Sequence, residues 1–350
     1  MLEKFKAVET NKIYHGDALN TLKQFPDNFV DCVITSPPYW ALRDYHVNEQ
    51  LGREPSFLLY LDNLITIFNQ VKRVLKKTGT CWVVMGDTYS GTGHHKKPNP
   101  DKKFVDNARN GQVNAANNKI PGIANKCLLL IPSRFALAMI DNGWILRNDI
   151  IWHKPNAVPH PVKDRYTVDF EHIFLFTKSK KYYFKQQYEP YKTHENRPAG
   201  IIRSREYNYN SKYNGTDLYG TNKMPPIGGI KRANGDNPTY SGNTPPWGKA
   251  RVARTVWAIN TQASNEKHVA MYPEKLVQKI INTIPTPNML ILDPFMGAGT
   301  TALVALRNNM QYIGIELNDQ FIKIANNRLA SRLDHYFQES FNPKSKLATI

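Results

Sequence analysis

Apolar positions along the chain follow two periods. Short continuous or alternating runs read as strands: Lys12-Ile13-Tyr14-His15, Phe29 to Ile34, Cys81 to Met85, Trp144 to Trp152, Glu171 to Thr177, Val256 to Ile259, Met289 to Leu292 and 311–315. The run ending at Thr177 is expected to turn as a hairpin into Lys181-Tyr182-Tyr183-Phe184. Between the strands, apolar residues recur at helical spacing. Phe57, Leu61, Leu64, Ile65, Phe68, Val71 and Leu75 make the stripe of a long helix from Pro55. Lys72, Arg73, Lys76 and Lys77 sit near its end, where cations suit the helix dipole, and Gly79 reads as its stop. Shorter helices are expected after Gly16-Asp17, from Pro132 to about Asn142 with Gly143 behind it, from Pro273 through Ile284, over 300–309, and from Asp319 to about Leu333. The tail from Asp334 is expected to be poorly ordered. Strand, helix and strand in succession predict parallel βαβ units in an open α/β sheet.

Two stretches break the periodicity. Residues 88–126 are dominated by Gly, Asn, His, Lys and Pro and read as a long basic loop, either solvated or closing over a polyanion. Its His94-His95 pair has no Cys or carboxylate partner at ligand spacing, so a metal site is not expected. Residues 185–254 are rich in Tyr, Asn, Gly, Pro, Arg and Lys, with no repeat. Side chains of these kinds suit phosphates and base edges, although an irregular surface insertion has the same composition. The formal net charge of +17 favours a nucleic-acid partner. No apolar run is long enough to span a bilayer and the first residues are polar, which points to the cytoplasm. Cys32, Cys81 and Cys127 lie far apart in apolar runs and read as reduced core thiols.

The strand Phe29 to Ile34 runs into Thr35-Ser36-Pro37-Pro38-Tyr39-Trp40. Two consecutive prolines cannot extend a strand, since each lacks an N–H and fixes its φ. The turn leaves a hydroxyl, fixed carbonyls and two aromatic rings at the strand's carboxyl end, where open α/β sheets bind ligands. A plain strand terminator with aromatics over the core fits equally well at this point. Far along the chain, Leu292-Asp293-Pro294-Phe295-Met296-Gly297-Ala298-Gly299-Thr300-Thr301 is a strand entering a glycine turn that opens a helix. The next strand ends at Glu316-Leu317, and an acid there can hold two ribose hydroxyls. The third glycine of the dinucleotide fingerprint is absent, and so is a Gly-Lys-Ser or Gly-Lys-Thr phosphate loop.

Together the two stretches resemble the amino-methyltransferases of DNA, which use S-adenosylmethionine to methylate an exocyclic base nitrogen. The base-site motif comes first and the cofactor motif last, an order similar to the permuted β-class. The resemblance implies a doubly wound, Rossmann-like class I methyltransferase sheet over residues 1–180 and 255–350, with a target-recognition region at 181–254. It implies catalytic roles for Ser36, Pro37, Pro38 and Tyr39. It assigns cofactor contacts to Asp17 in a "GDAL" segment, His268 and Pro273 in an "HxAxxPExL" segment, and Asp293, Phe295, Gly297, Gly299, Thr300, Thr301, Glu316 and Leu317. Asp17 also reads as a helix N-cap. Trp40, Trp152 and Asn156 are expected to border the base pocket. A serine heading the motif favours N4 of cytosine, and the alternative is N6 of adenine. Cytosine-C5 chemistry is disfavoured, because no cysteine sits in a Pro-Cys turn. Double-stranded DNA is the expected partner, with a cognate restriction endonuclease acting separately and a monomer or homodimer as the working form. Acceptors in RNA or protein, and a catalytically inactive nucleic-acid-binding protein, are the competing readings.

Overall fold

A computed structural model of the chain describes residues 8–42, 45, 47, 49–91, 120–159, 162–190, 250–262 and 271–340. The chain divides into two compact units, Met1–Lys185 with Thr255–Ile350, and Gln186–Arg254.

The larger unit holds eight strands: β1 (Lys12–His15), β2 (Val30–Thr35), β3 (Leu75–Met85), β4 (Ile145–His153), β5 (Phe170–Thr177), β8 (Val256–Ala258), β9 (Leu290–Asp293) and β10 (Gln311–Glu316). Their order across one sheet is β1-β10-β9-β2-β3-β5-β4-β8. All pairings are parallel except those of β5, which runs antiparallel to both β3 and β4. The helices are α1 (Ala18–Lys23), α2 (Phe57–Val74), α3 (Ile131–Asp141), α4 (Glu274–Ile281), α5 (Thr300–Arg307) and α6 (Asp319–Ser340).

Both faces of the sheet are covered, which is why its central strands read as unbroken apolar runs. Val33, Cys81, Val83, Phe174, Phe176 and Leu292 pack with Leu22 of α1, Phe68 of α2 and Phe135 of α3. Their neighbours Cys32, Ile34, Trp82, Val84, Ile173 and Ile291 pack on the other face with Val277 of α4, Leu303 of α5 and Leu329 of α6. Successive residues of one strand thus serve opposite cores.

Four local expectations are corrected. Gly79 does not end a helix. The chain passes from α2 into β3 at Leu75, and Gly79 lies inside β3. A Cβ there would stand 2.5 Å from Leu75 Cδ1 and 2.7 Å from the Asp31 carbonyl oxygen, so close approach, not a turn, requires the glycine. Residues 181–184 pair in no strand; the Tyr183 N–H donates to the Thr78 carbonyl at 2.9 Å instead. Helix α6 continues through Ser340, so the expected tail is helical over 334–340, and its remainder lies outside the described residues. Cys32 and Cys81 are buried, but Cys127 is exposed, because its backbone is turned to accept the Ser90 N–H at 2.8 Å at the rim of the sheet.

In the smaller unit, β6 (Tyr188–Pro190) and β7 (Ala250–Val252) form an antiparallel pair. The segment between them, which carries most of the expected recognition region, lies outside the described residues, as does most of the expected basic loop at 88–126.

Candidate active site

Two cavities open at the carboxyl edge of the parallel strands. The first lies over the ends of β1, β9 and β10. Asp17, Pro38, Phe295, Gly297, Glu316 and Leu317 line it, together with Tyr45, Asn318 and Phe321, which sequence reasoning did not single out. Asp17 is also the N-cap of α1, its Oδ1 accepting the Asn20 N–H at 2.8 Å. Glu316 ends β10. Its Oε2 accepts the Gly297 N–H and its Oε1 the Asn318 N–H, both at 2.8 Å. Burial raises the Glu316 carboxyl above its ordinary range, opposed by those N–H donors. A carboxylate offers about four acceptor sites, so these donors leave room for a ligand hydroxyl. Phe321 and Tyr45 meet edge to face with centroids 5.8 Å apart, and with Leu317 they give the cavity an apolar side. An acid for a diol and an apolar slot for a flat ring fit a nucleoside.

The turn between the cavities needs its glycines. Gly297 and Gly299 have φ of +52° and +79°, and a Cβ on Gly299 would stand 2.9 Å from Ala325 Cβ. Beneath the turn is Asp293, 1% exposed. Its Oδ1 accepts the Thr35 hydroxyl at 2.6 Å and the Phe295 N–H at 3.0 Å. Its Oδ2 accepts the Thr301 hydroxyl at 2.7 Å and the Tyr272 hydroxyl at 2.9 Å. Burial raises this carboxyl too. One buried acid therefore ties the residue before Ser36 to the glycine turn, across 258 positions of sequence.

The second cavity, of about 410 Å³, lies over the ends of β2, β4 and β9. Ser36, Pro37, Tyr39, Trp152, Phe295, Gly297 and Thr300 line it. Lys154, Glu171, Thr261, Gln262, Met271 and Tyr272 also line it; of these, Met271 and Tyr272 belong to the expected "HxAxxPExL" segment, and none was assigned a role from the sequence. The Ser36 hydroxyl donates to the Tyr39 oxygen at 3.2 Å, and the Tyr39 hydroxyl donates to Glu171 Oε2 at 2.7 Å. Burial, and next the charge of Glu171, push the Tyr39 phenol well above its ordinary range, so it stays a neutral hydroxyl. The Tyr60 hydroxyl donates to the Pro38 carbonyl at 2.8 Å and fixes the double-proline turn.

Several of the remaining expected residues lie outside both linings. Trp40, 4% exposed, packs against Phe57 and donates to the Glu54 carbonyl at 3.0 Å, so it belongs to the core. Asn156 brackets Thr261, accepting its N–H at 2.8 Å and donating to its carbonyl at 3.1 Å, and so acts on the lining at one remove. Pro273 is the N-cap of α4. Gly299, Thr301 and Asp293 build the turn from behind. His268 lies outside the described residues. Asp87 caps the start of α3 through the Ile131 N–H at 3.1 Å.

Residues 30–327 match a family model described as DNA methylase. The chain is 36% identical over 331 residues to the Type II methyltransferase M.Cfr9I of Citrobacter freundii, covering 94% of this chain and 91% of that one. In fold it is similar to the PvuII DNA methyltransferase (cytosine-N4-specific), with a TM-score of 0.55, 19% identity, and coverage of 91% and 86%. It is also similar to a putative DNA modification methylase of Thermus thermophilus complexed with S-adenosyl-L-methionine, with a TM-score of 0.51, 20% identity, and coverage of 92% and 95%.

Proposed function

The chain belongs to the N6/N4 family of DNA methylases, whose methyl donor is S-adenosylmethionine, and from that premise we propose that it methylates the exocyclic N4 amine of a cytosine flipped out of duplex DNA. The observation that carries this reading is the wall common to the two cavities: Ser36, Phe295 and Gly297 line both, so a ligand in one meets a ligand in the other there.

When bound, S-adenosylmethionine would supply an electrophilic methyl on a sulfonium, with a neutral thioether as the leaving group for in-line attack by the amine on the methyl carbon. Asp17, Glu316 and Leu317 hold the nucleoside end, with Glu316 taking the ribose hydroxyls. Phe295 and Gly297 shape the passage to the second cavity. There the problem is the amine, whose lone pair is delocalised into the base and is a poor nucleophile. The Ser36 oxygen and the Pro37 carbonyl accept its two N–H groups and draw the nitrogen toward tetrahedral geometry. Tyr39 and Trp152 give the base its faces. After transfer the nitrogen sheds its extra proton to solvent. Positioning and fixed dipoles supply the acceleration.

Serine at the head of the Pro-Pro-Tyr turn supports N4 of cytosine, since Asp or Asn there accompanies N6 of adenine more often in the family. The Gln186–Arg254 unit, placed between the two motif-bearing parts of the chain, is the target-recognition region in this reading. The name Type II methyltransferase on a 36% identical relative supports a place in a restriction-modification system.

Incubation with labelled S-adenosylmethionine and unmethylated genomic DNA, followed by nucleoside mass spectrometry, tests the proposal. N4-methylcytosine is the expected product. N6-methyladenine alone overturns the base assignment and keeps the class, and no methylated base overturns both.

A further inference from the structure

Two charged side chains, Glu171 and Lys154, stand behind Tyr39. Glu171 is the second residue of β5, the strand of this sheet that runs against the others, so it lies where the parallel strands end. Lys154 follows β4 and places its ammonium on Glu171 Oε1 and 4.6 Å from the centre of the Trp152 ring. The two side chains are 19% and 17% exposed, Lys154 first. Gly86 leaves room for the arrangement: a Cβ there would stand 2.8 Å from Tyr39 Cε2 and 3.6 Å from Glu171 Cδ.

We propose that Glu171, held by Lys154, is a positioning residue that sets the direction of the hydrogen-bond chain through Tyr39 and so makes Ser36 an acceptor toward the target amine. A hydroxyl has one proton to give, and a carboxylate only accepts. Because Glu171 Oε2 accepts, the Tyr39 proton is committed to it. The Tyr39 oxygen then accepts the Ser36 proton. That leaves the Ser36 lone pairs for the cavity. With the chain reversed, the Ser36 proton would point at an incoming N–H, donor against donor. The inference rests on the reading of this cavity as the site of an exocyclic amine.

Glu171→Gln tests the direction and not the shape. The Lys154 ammonium takes the amide oxygen, so the amide NH2 faces Tyr39 and reverses the chain. The single-turnover rate of methyl transfer to unmethylated genomic DNA is expected to fall about 30-fold or more, with S-adenosylhomocysteine and DNA affinities held within about twofold. In Glu171→Gln with Lys154→Met the amide is free to turn its oxygen to Tyr39, and the rate is expected to return to within about fivefold of the parent. Tyr39→Phe, which keeps the ring and removes the middle link, is expected to lose rate to the same order as Glu171→Gln. A Glu171→Gln rate within about threefold of the parent overturns the proposal, as does a double variant no faster than Glu171→Gln with both affinities intact, or an unchanged Tyr39→Phe rate. The parent is assayed alongside. If it methylates cytosine N4 or adenine N6 while the variants behave otherwise than stated, only this inference falls; if it methylates no amine, the reading of the site falls with it.

Discussion

Asp293 holds four donors in a space that water does not reach: the hydroxyls of Thr35, Thr301 and Tyr272 and the Phe295 N–H. Its burial has a pH signature. The folded carboxyl titrates above the ordinary value of 3.8, so just above that pH the folded state keeps a proton that the unfolded state has released. Stability contributed through this group therefore falls as pH rises through that window, and Glu316 and Asp87 shift in the same direction. Urea unfolding between about pH 4 and pH 7 should show a shallower decline for Asp293→Asn than for the parent, because the amide has nothing to titrate. At Ser36 the expectation is kinetic. Ser36→Ala removes one acceptor for the amine and should slow methyl transfer about 100-fold in single turnover, with DNA affinity unchanged. Both residues stand out in the sequence, since short motifs mark them. What spacing does not reveal is direction: the Asp293 carboxylate faces inward under the turn, and only the sheet order brings Thr35 to it. Glu171 was illegible for a related reason, being one acid at the head of the apolar run of β5.

Strands and their ends explain most of the site. The apolar runs within β2, β3, β5 and β9 were readable because burial on both faces keeps polar residues to the strand ends and a few special positions. The end of α2 was not, because the chain enters β3 at Leu75 with no turn residue between. A glycine after β3 and one capping α5 carry two expectations. Gly86→Ala pushes on the Tyr39 ring and should cost about tenfold or more in methyl-transfer rate while circular dichroism melting changes little. Gly299→Ala meets both a positive φ and the Ala325 side chain and should cost about 1–3 kcal/mol of stability, read by urea unfolding.

A net charge of +17 sets the long-range behaviour. DNA affinity should fall steeply and linearly in a plot of log K against log salt, the mark of counterion release, and a slope near zero would deny the charge a part in binding. The class of fold, the order of its two motifs and the basic excursion between them were all present in the sequence. The pairing of distant strands was not, because nothing local specifies that β9 and β10 stand between β1 and β2. That placement governs how the enzyme comes into being. A chain leaving the ribosome has made β1 and β2 long before the two strands that separate them exist. Until the last third is synthesised, the edges of β1 and β2 that β10 and β9 will cover stay open, and the Thr35 hydroxyl has no carboxylate to meet. Such late closure makes for slow folding and a need for protection from aggregation. It also means that a chain interrupted before β9 carries the complete base-site motif but lacks Asp293, the glycine turn and Glu316.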